Sequence, residues 1–216
     1  MGRHLVFITG GTGYLGRALV PALLDRGHAV RLLVRAGSES RAAAGAEVVI
    51  GDALRPETFD GAIGPADTLI HLVGTPHPGP AKAAEFRAVD LASIRASAAV
   101  ARAAGIRHLV YVSVAQPAPV MRAYIAARRE GEALVWATGL PATVLRPWYV
   151  LGPGHRWPAV LLPLYAVLER LPATREGAAR LGLVTQRQMV AALLRAVEHP
   201  TDGVRVVEVP HIRAAA

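Results

Sequence analysis

The sequence predicts an α/β fold, a doubly wound parallel sheet with a small C-terminal lobe. Two observations carry this expectation. Short apolar runs alternate with helix-length segments along the first two thirds of the chain. Strands separated by helices form right-handed βαβ units, and those units generate a parallel sheet. The chain is also 216 residues long, enough for one domain with a sizeable core and too short for two of ordinary size.

The elements follow in order. Leu5, Val6, Phe7 and Ile8 form a continuous apolar run, as a strand buried on both faces requires. Residues 14–26 read as a helix closed by Gly27. Ala29–Val34 and Glu47–Ile50 are the second and third strands, and 68–73 the fourth. A long helix over 81–104 ends at Gly105, and 106–113 is the fifth strand. Residues 120–138 are helical and Ala142–Arg146 is the sixth strand. The expected strand order is 3-2-1-4-5-6, with a seventh strand over 204–209.

After Pro147 the rhythm breaks. An apolar helix is expected near 159–171, and Thr185-Gln186-Arg187-Gln188 fits a capping box opening a helix that runs to about 199. Residues 1–146 therefore read as the core and 147–216 as a reduced lobe that does not fold independently. The helix near 159–171 is either a lid or a surface resting on a membrane or partner, and Pro163 counts against a stable amphipathic membrane helix.

Composition narrows the function. With 52% hydrophobic and 19% charged residues the chain is no disordered tail. The absence of cysteine excludes disulfides, thiolate metal sites and a cysteine nucleophile. Eight histidines are scattered without ligand spacing, so no metal is expected. The net charge of +8 comes from basic residues spread along the chain, all arginine except Lys82. That is a compositional bias, and no nucleic-acid partner is expected. The most apolar stretch is broken by Pro158 and Pro163 and falls short of the ~18–20 residues that span a bilayer. The expectation is a cytoplasmic protein with no membrane span, a monomer or homodimer with a small-molecule substrate.

The strongest motif is Thr9-Gly10-Gly11-Thr12-Gly13-Tyr14-Leu15-Gly16, which follows a strand and opens a helix. In that setting glycines permit a tight turn and close approach of backbone to a pyrophosphate, while the helix N-terminus offers free N–H groups. Gly10, Thr12, Gly13, Tyr14, Leu15 and Gly16 are thus candidate dinucleotide ligands. NAD sites place an acid about 20 residues further on to hold the ribose hydroxyls. Here that place falls on Val34 and Arg35, and the nearest acid is Glu39. Arg35, assisted by Ser38 or Arg41, suits a 2′-phosphate, so NADP(H) is favoured over NAD(H). The alternative is a solvated loop arginine.

The spacing Gly10-x-x-Gly13-x-x-Gly16, with Gly51-Asp52 after the third strand, resembles the extended and atypical short-chain dehydrogenase/reductases. Leu69-Ile70-His71-Leu72-Val73-Gly74, Arg146-Pro147 and Gly152-Pro153-Gly154 extend the likeness over nearly the whole chain. Within this Rossmann-fold, epimerase/dehydratase-like family it is most similar to the NmrA-like group and to the nucleotide-binding accessory subunit of respiratory complex I. The resemblance implies that Asp52 and Ala53 meet the adenine and that the backbone at Leu72, Val73 and Gly74 passes the nicotinamide-side ribose. Pro147 and its two successors would line the nicotinamide face. For Asp52 the alternative is a loop carboxylate capping the helix that Pro56 begins, and His71 reads as a core histidine.

In active family members a serine ends the fifth strand and Tyr-x-x-x-Lys lies on the next helix. Tyrosine exchanges a proton with the substrate oxygen, an adjacent cation lowers its pKa, and serine holds the oxygen. Here Ser113 stands at the strand end and Tyr124 is followed four residues later by Arg128, not lysine. The spacing puts both on one helical face, but a planar guanidinium does not replace the compact lysine donor. Ser113, Tyr124 and Arg128 are the expected catalytic residues of an NADP(H)-dependent oxidoreductase or epimerase-like enzyme acting on a small carbonyl or alcohol. Tyr149 is the runner-up tyrosine, Tyr111 reads as core, and Trp148, Trp157 and Tyr165 form either an apolar substrate wall or plain packing. The alternative is a catalytically silent NAD(P)H-binding sensor or assembly subunit.

Overall fold

The computed structural model describes residues 2–155 and 157–216, the side chain of Trp157 excepted. The apolar runs become strands of one sheet, the central ones buried on both faces and the edge run Glu47–Ile50 leaving Val48 and Ile50 exposed. β1 (Leu5–Thr9) leads into α1 (Gly16–Asp25), then β2 (Ala29–Val34), β3 (Glu47–Ile50), α2 (Asp60–Ile63) and β4 (Thr68–His71). Next, α3 (Ala83–Glu85), a π-helical stretch (Phe86–Leu91) and α4 (Ala92–Ala103) run on as one helix. β5 (His108–Val112), α5 (Arg122–Ala137) and β6 (Ala142–Arg146) complete the alternation.

The rest comprises β7 (Val150–Leu151), α6 (Leu162–Leu168), α7 (Arg175–Arg180), β8 (Val184–Thr185), α8 (Gln186–Glu198), β9 (Val204–Glu208) and α9 (Val209–Arg213). Seven strands pair in the order β3-β2-β1-β4-β5-β6-β9, all parallel. This is the doubly wound Rossmann sheet that the sequence predicts. β7 and β8 form a separate two-stranded ladder that the sequence reading lacks.

Two apolar layers hold the sheet. On one face Val6 and Ile8 pack with Leu19 and Leu23 of α1 and with Met189, Leu193 and Val197 of α8. On the other, Phe7, Leu69 and Leu109 pack with Ile94, Val100 and Val135 from α4 and α5. Each fully buried side chain of this kind contributes about 1.5–3 kcal/mol. Val184, Val209 and Ile212 join the first layer, so the residues beyond 147 share the core of the sheet.

Several boundaries shift for local reasons. β4 ends at His71 because its partner β1 turns away at Gly10 (φ 78°), so that the Leu72 N–H to the Thr9 carbonyl (2.9 Å) is the last rung between them. β9 ends at Glu208 and Val209 opens α9, whose Pro210 sits in the first turn where a missing N–H costs nothing. α5 starts at Arg122, behind Met121 in the left-handed region (φ 59°). The helix expected near 159–171 is a 3₁₀ turn (Trp157–Leu161) followed by α6. Pro163 lies in the first turn of α6. It therefore fixes the start of that helix and does not break it. The Thr185 capping box is present in full, opening α8.

Candidate active site

Parallel pairing brings the ends of β1, β4 and β5 to one edge, where Thr9 lies level with His71 and His71 level with Tyr111. Order reverses between β1 and β4, the place where doubly wound sheets open a crevice for ligands. The glycine loop crosses that crevice. Gly10 has φ +78°, and a Cβ there would lie 2.8 Å from the Leu72 carbonyl carbon and the Val73 nitrogen. A Cβ on Gly16 would collide with the Gly11 backbone. Both positions need glycine, one for its dihedral and both for room.

Gly13 N–H donates to the Gly10 carbonyl (3.0 Å), which closes the turn. A Cβ at Gly13 would meet only that carbonyl within 4 Å, so the outside of the loop is open. α1 begins behind Leu15, which carries no capping side chain. Uncapped N–H groups under an open glycine turn fit a pyrophosphate. Leu72, Val73 and Gly74 continue beneath the loop, all partly exposed, as does the half-buried Thr12.

Tyr14 has a different place from its neighbours in the motif. Its ring packs 4.2 Å from that of His155, and a Cβ on Gly152 would strike its hydroxyl. Gln186 Nε2 donates to the Tyr14 carbonyl (2.9 Å). Burial pushes the Tyr14 phenol up from its usual range. The side chain thus ties the glycine loop to the segment after β7, and His77 stacks on His155 from the opposite side (5.2 Å).

At the adenine end, Arg35 follows β2, is exposed, and has no acidic partner among the described residues. The Asp52 carboxylate accepts the Leu54 N–H (3.0 Å) in a tight turn of its own loop, and Thr58 receives the Asp52 N–H (2.9 Å). Asp52 therefore orders its loop and does not cap the turn that Pro56 begins. It and Ala53 remain partly exposed on the Arg35 side of the crevice.

At the other end, Ser113 N–H donates to the Leu145 carbonyl (2.7 Å), which fixes the serine at the end of β5. Its hydroxyl is buried and has no partner among the described residues. Tyr124, in the first turn of α5, is half-buried and packs against Phe86 (ring centroids 5.0 Å). A cavity of about 140 Å³ opens beside it, lined by Phe86, Met121 and Pro80. Pro147 is buried, with its carbonyl accepting from Ala115 N–H (2.8 Å). Trp148 and Tyr149 meet edge to face (5.4 Å), and the Tyr165 hydroxyl of α6 interacts with Trp148. Trp157, the third aromatic expected in an apolar wall, has its side chain outside the described residues. A larger cavity, about 820 Å³, lies on another flank of α5 between Gln116, Arg122, Arg129 and Trp136. It does not include the glycine loop, Ser113 or Tyr124.

Arg128 organises the centre. Its guanidinium donates to Asp90 Oδ1 (2.6 Å) and to the Val112 carbonyl (2.9 Å), and lies 5.2 Å from the Tyr124 ring centroid and 5.8 Å from that of Tyr111. It presses on Gly74, where a Cβ would overlap it. Burial opposes its charge, but Tyr124, Tyr111 and Asp90 outweigh burial and hold it protonated. The cation therefore faces the tyrosine ring, with its charge shared with a carboxylate.

Asp90 is the residue that sequence reasoning missed. It is 1% exposed and also accepts from Thr75, through the backbone N–H (3.0 Å) and the hydroxyl (2.6 Å). A signal existed: Phe86, Asp90 and Ile94 recur at intervals of four on an inward face, and a carboxylate among apolar neighbours requires a cation. His71 is fully buried between Thr9 (2.9 Å), Ser97 (3.0 Å) and Ser93 (3.3 Å), a core position.

Residues 10–157 match a family model described as NAD(P)H-binding. The chain belongs to this family of extended short-chain dehydrogenase/reductases. It is 34% identical over 214 residues to the ceramide reductase of Caulobacter vibrioides, covering 98% of this chain and 66% of that protein. It is 31% identical over 168 residues to the 4-hydroxy-2-methyl-3-oxo-4-farnesyl-3,4-dihydroquinoline-1-oxide ketoreductase of Stigmatella aurantiaca, covering 68% of this chain and 50% of that one. The chain thus spans between half and two thirds of these relatives. Among solved structures, the Bordetella bronchiseptica enzyme WbmH in complex with NAD+ has the same fold (TM-score 0.71, 20% identity, 96% of this chain and 76% of that chain).

Proposed function

We propose that the protein is an NADPH-dependent reductase of a carbonyl on a lipophilic substrate. Bound at the glycine loop, the dinucleotide supplies the hydride. Ser113 holds the substrate oxygen, and the Tyr124 hydroxyl gives that oxygen its proton. Arg128, paired with Asp90, fixes the Tyr124 ring from beneath and ties α5 to the end of β5. The reading rests above all on Ser113, whose buried hydroxyl lacks a partner among the described residues and which follows Val112, the residue whose carbonyl Arg128 holds beneath the Tyr124 ring. An unsatisfied buried hydroxyl costs about 1–3 kcal/mol, and a substrate oxygen would remove that cost. NADPH is preferred because Arg35 stands unpaired where an NAD site carries an acid. The lipophilic substrate is suggested by the ceramide and farnesyl-quinoline relatives and by Trp148, Tyr149 and Tyr165 beside the site.

A panel of long-chain ketones assayed for NADPH oxidation tests this directly. The Tyr124→Phe variant should lose turnover by about 10²–10⁴-fold while NADPH binds nearly as before. Equal loss of binding and turnover would remove Tyr124 from the chemistry. A second reading follows from Arg128, whose charge is committed to Asp90: a silent NAD(P)H-binding subunit, in which NADPH binds and no carbonyl is reduced.

A further inference from the structure

Among the described residues eleven large apolar side chains are prominently exposed, and five of them fall between 160 and 171: Val160, Leu162, Leu164, Val167 and Leu171. Val160 is 75% exposed and Val167 54%. No residue of α6 is fully buried. Scattered apolar residues on a surface are ordinary, but a contiguous group on one short segment marks a contact site. Pro163 does not weaken this helix, since it occupies the first turn.

The chemistry around the patch selects its occupant. Residues 157–187 contain four arginines and two glutamates. Both glutamates are engaged, Glu169 with Arg213 (2.9 Å) and Glu176 with Arg180 (3.9 Å). Arg170 and Arg175 are exposed and have no acidic partner among the described residues. Apolar side chains flanked by unpaired arginines complement a bilayer with anionic headgroups, where the aliphatic part enters the interface and each guanidinium meets phosphate. The patch also adjoins the candidate active site, because the Tyr165 hydroxyl on α6 interacts with Trp148 in the loop after β6.

We infer that the segment from Val160 to Arg175 docks on an anionic membrane surface and presents the Trp148–Tyr149 side of the active site to it. The inference deepens the proposed function by giving a route for a lipophilic substrate, and it rests on that reading only for the substrate. No helix among the described residues is long and apolar enough to cross a bilayer.

The test is flotation of the full chain with vesicles of phosphatidylcholine alone and of phosphatidylcholine with 30 mol% phosphatidylglycerol, roughly the anionic content that makes surface charge count. Wild-type protein should float with the anionic vesicles, and Leu164→Glu/Val167→Glu should reduce that fraction at least tenfold. Both positions are exposed, so thermal melting and NADPH binding should be unchanged in the variant. Arg170→Glu/Arg175→Glu should weaken binding to anionic vesicles and leave the low binding to neutral vesicles as it was.

No flotation with anionic vesicles overturns the inference. So does equal flotation of the Leu164→Glu/Val167→Glu variant, which would assign binding to the overall charge of +8. Self-association of the wild type that is lost in the same variant, without vesicle binding, would make the face a contact between two copies and also overturn it. Failure here leaves NADPH oxidation untouched, and failure of turnover leaves flotation untouched.

Discussion

Arg128 illustrates how one residue changes meaning between sequence and structure. Four residues after Tyr124 it reads as a cation that lowers a phenol pKa. In the fold it is buried against Gly74, bonded to Asp90 and Val112, and faces the Tyr124 ring. Its partner lies 38 residues away, on a π-helical stretch whose wider turn displaces the usual periodicity. The spacing of Phe86, Asp90 and Ile94 signals that Asp90 needs a cation, but nothing local names Arg128 as that cation. The glycine loop does carry a local sign, because positive φ and close backbone approach at Gly10 are demands that only glycine meets. Removing one partner of a buried ion pair costs about 3–5 kcal/mol, since the other charge is stranded. Asp90→Asn should therefore destabilise the protein by about that much in urea unfolding, and Asp90→Asn/Arg128→Met should recover most of it. A stability for Asp90→Asn near wild type would mean that the pair does not hold the site.

At the scale of elements, the central strands were legible because burial on both faces writes a continuous apolar run, and a parallel doubly wound sheet followed from alternation. The ends were less so. β4 stops where its partner β1 turns away into the glycine loop, and β9 gives way to α9 at Val209. Neither choice appears in the apolar pattern, which continues through both. The central strands also carry two buried imidazoles. Burial, and then the charge of Arg128, lowers His71 to about 3. Burial, with Arg205 and His4, lowers His108 to about 4. A folded pKa below the unfolded value of 6.5 means that the unfolded chain binds protons first. The stability these histidines retain is complete above pH 6.5 and falls as pH drops toward 4, by up to about 1.4 kcal/mol per pH unit for each imidazole. The urea midpoint should decline between pH 6.5 and 5, above the range where most carboxylates titrate. A flat midpoint over that interval would contradict the buried, neutral assignment.

Over the whole molecule, the carboxyl edge of the sheet aligns three groups in sequence: Arg35 and Asp52 beyond β2 and β3, the glycine loop at the β1–β4 reversal, and Ser113 with Tyr124 beyond β5. A dinucleotide laid along this edge would reach from one end to the other. That arrangement was legible early, since each motif follows a strand and the order 3-2-1-4-5-6 sets those strand ends side by side. The apolar surface of α6 was only half legible, because exposure depends on what packs against a helix and the sequence of 159–171 leaves a lid and a membrane or partner surface equally open. The central claim is that NADPH is held at this edge, and direct titration of the protein with NADPH and NADH, followed by their fluorescence, tests it most simply. Saturable binding is expected, with NADPH at least about tenfold tighter, the size of one charge-assisted contact to a phosphate. Arg35→Glu should abolish that difference. No saturable binding of either dinucleotide would contradict the account at its root.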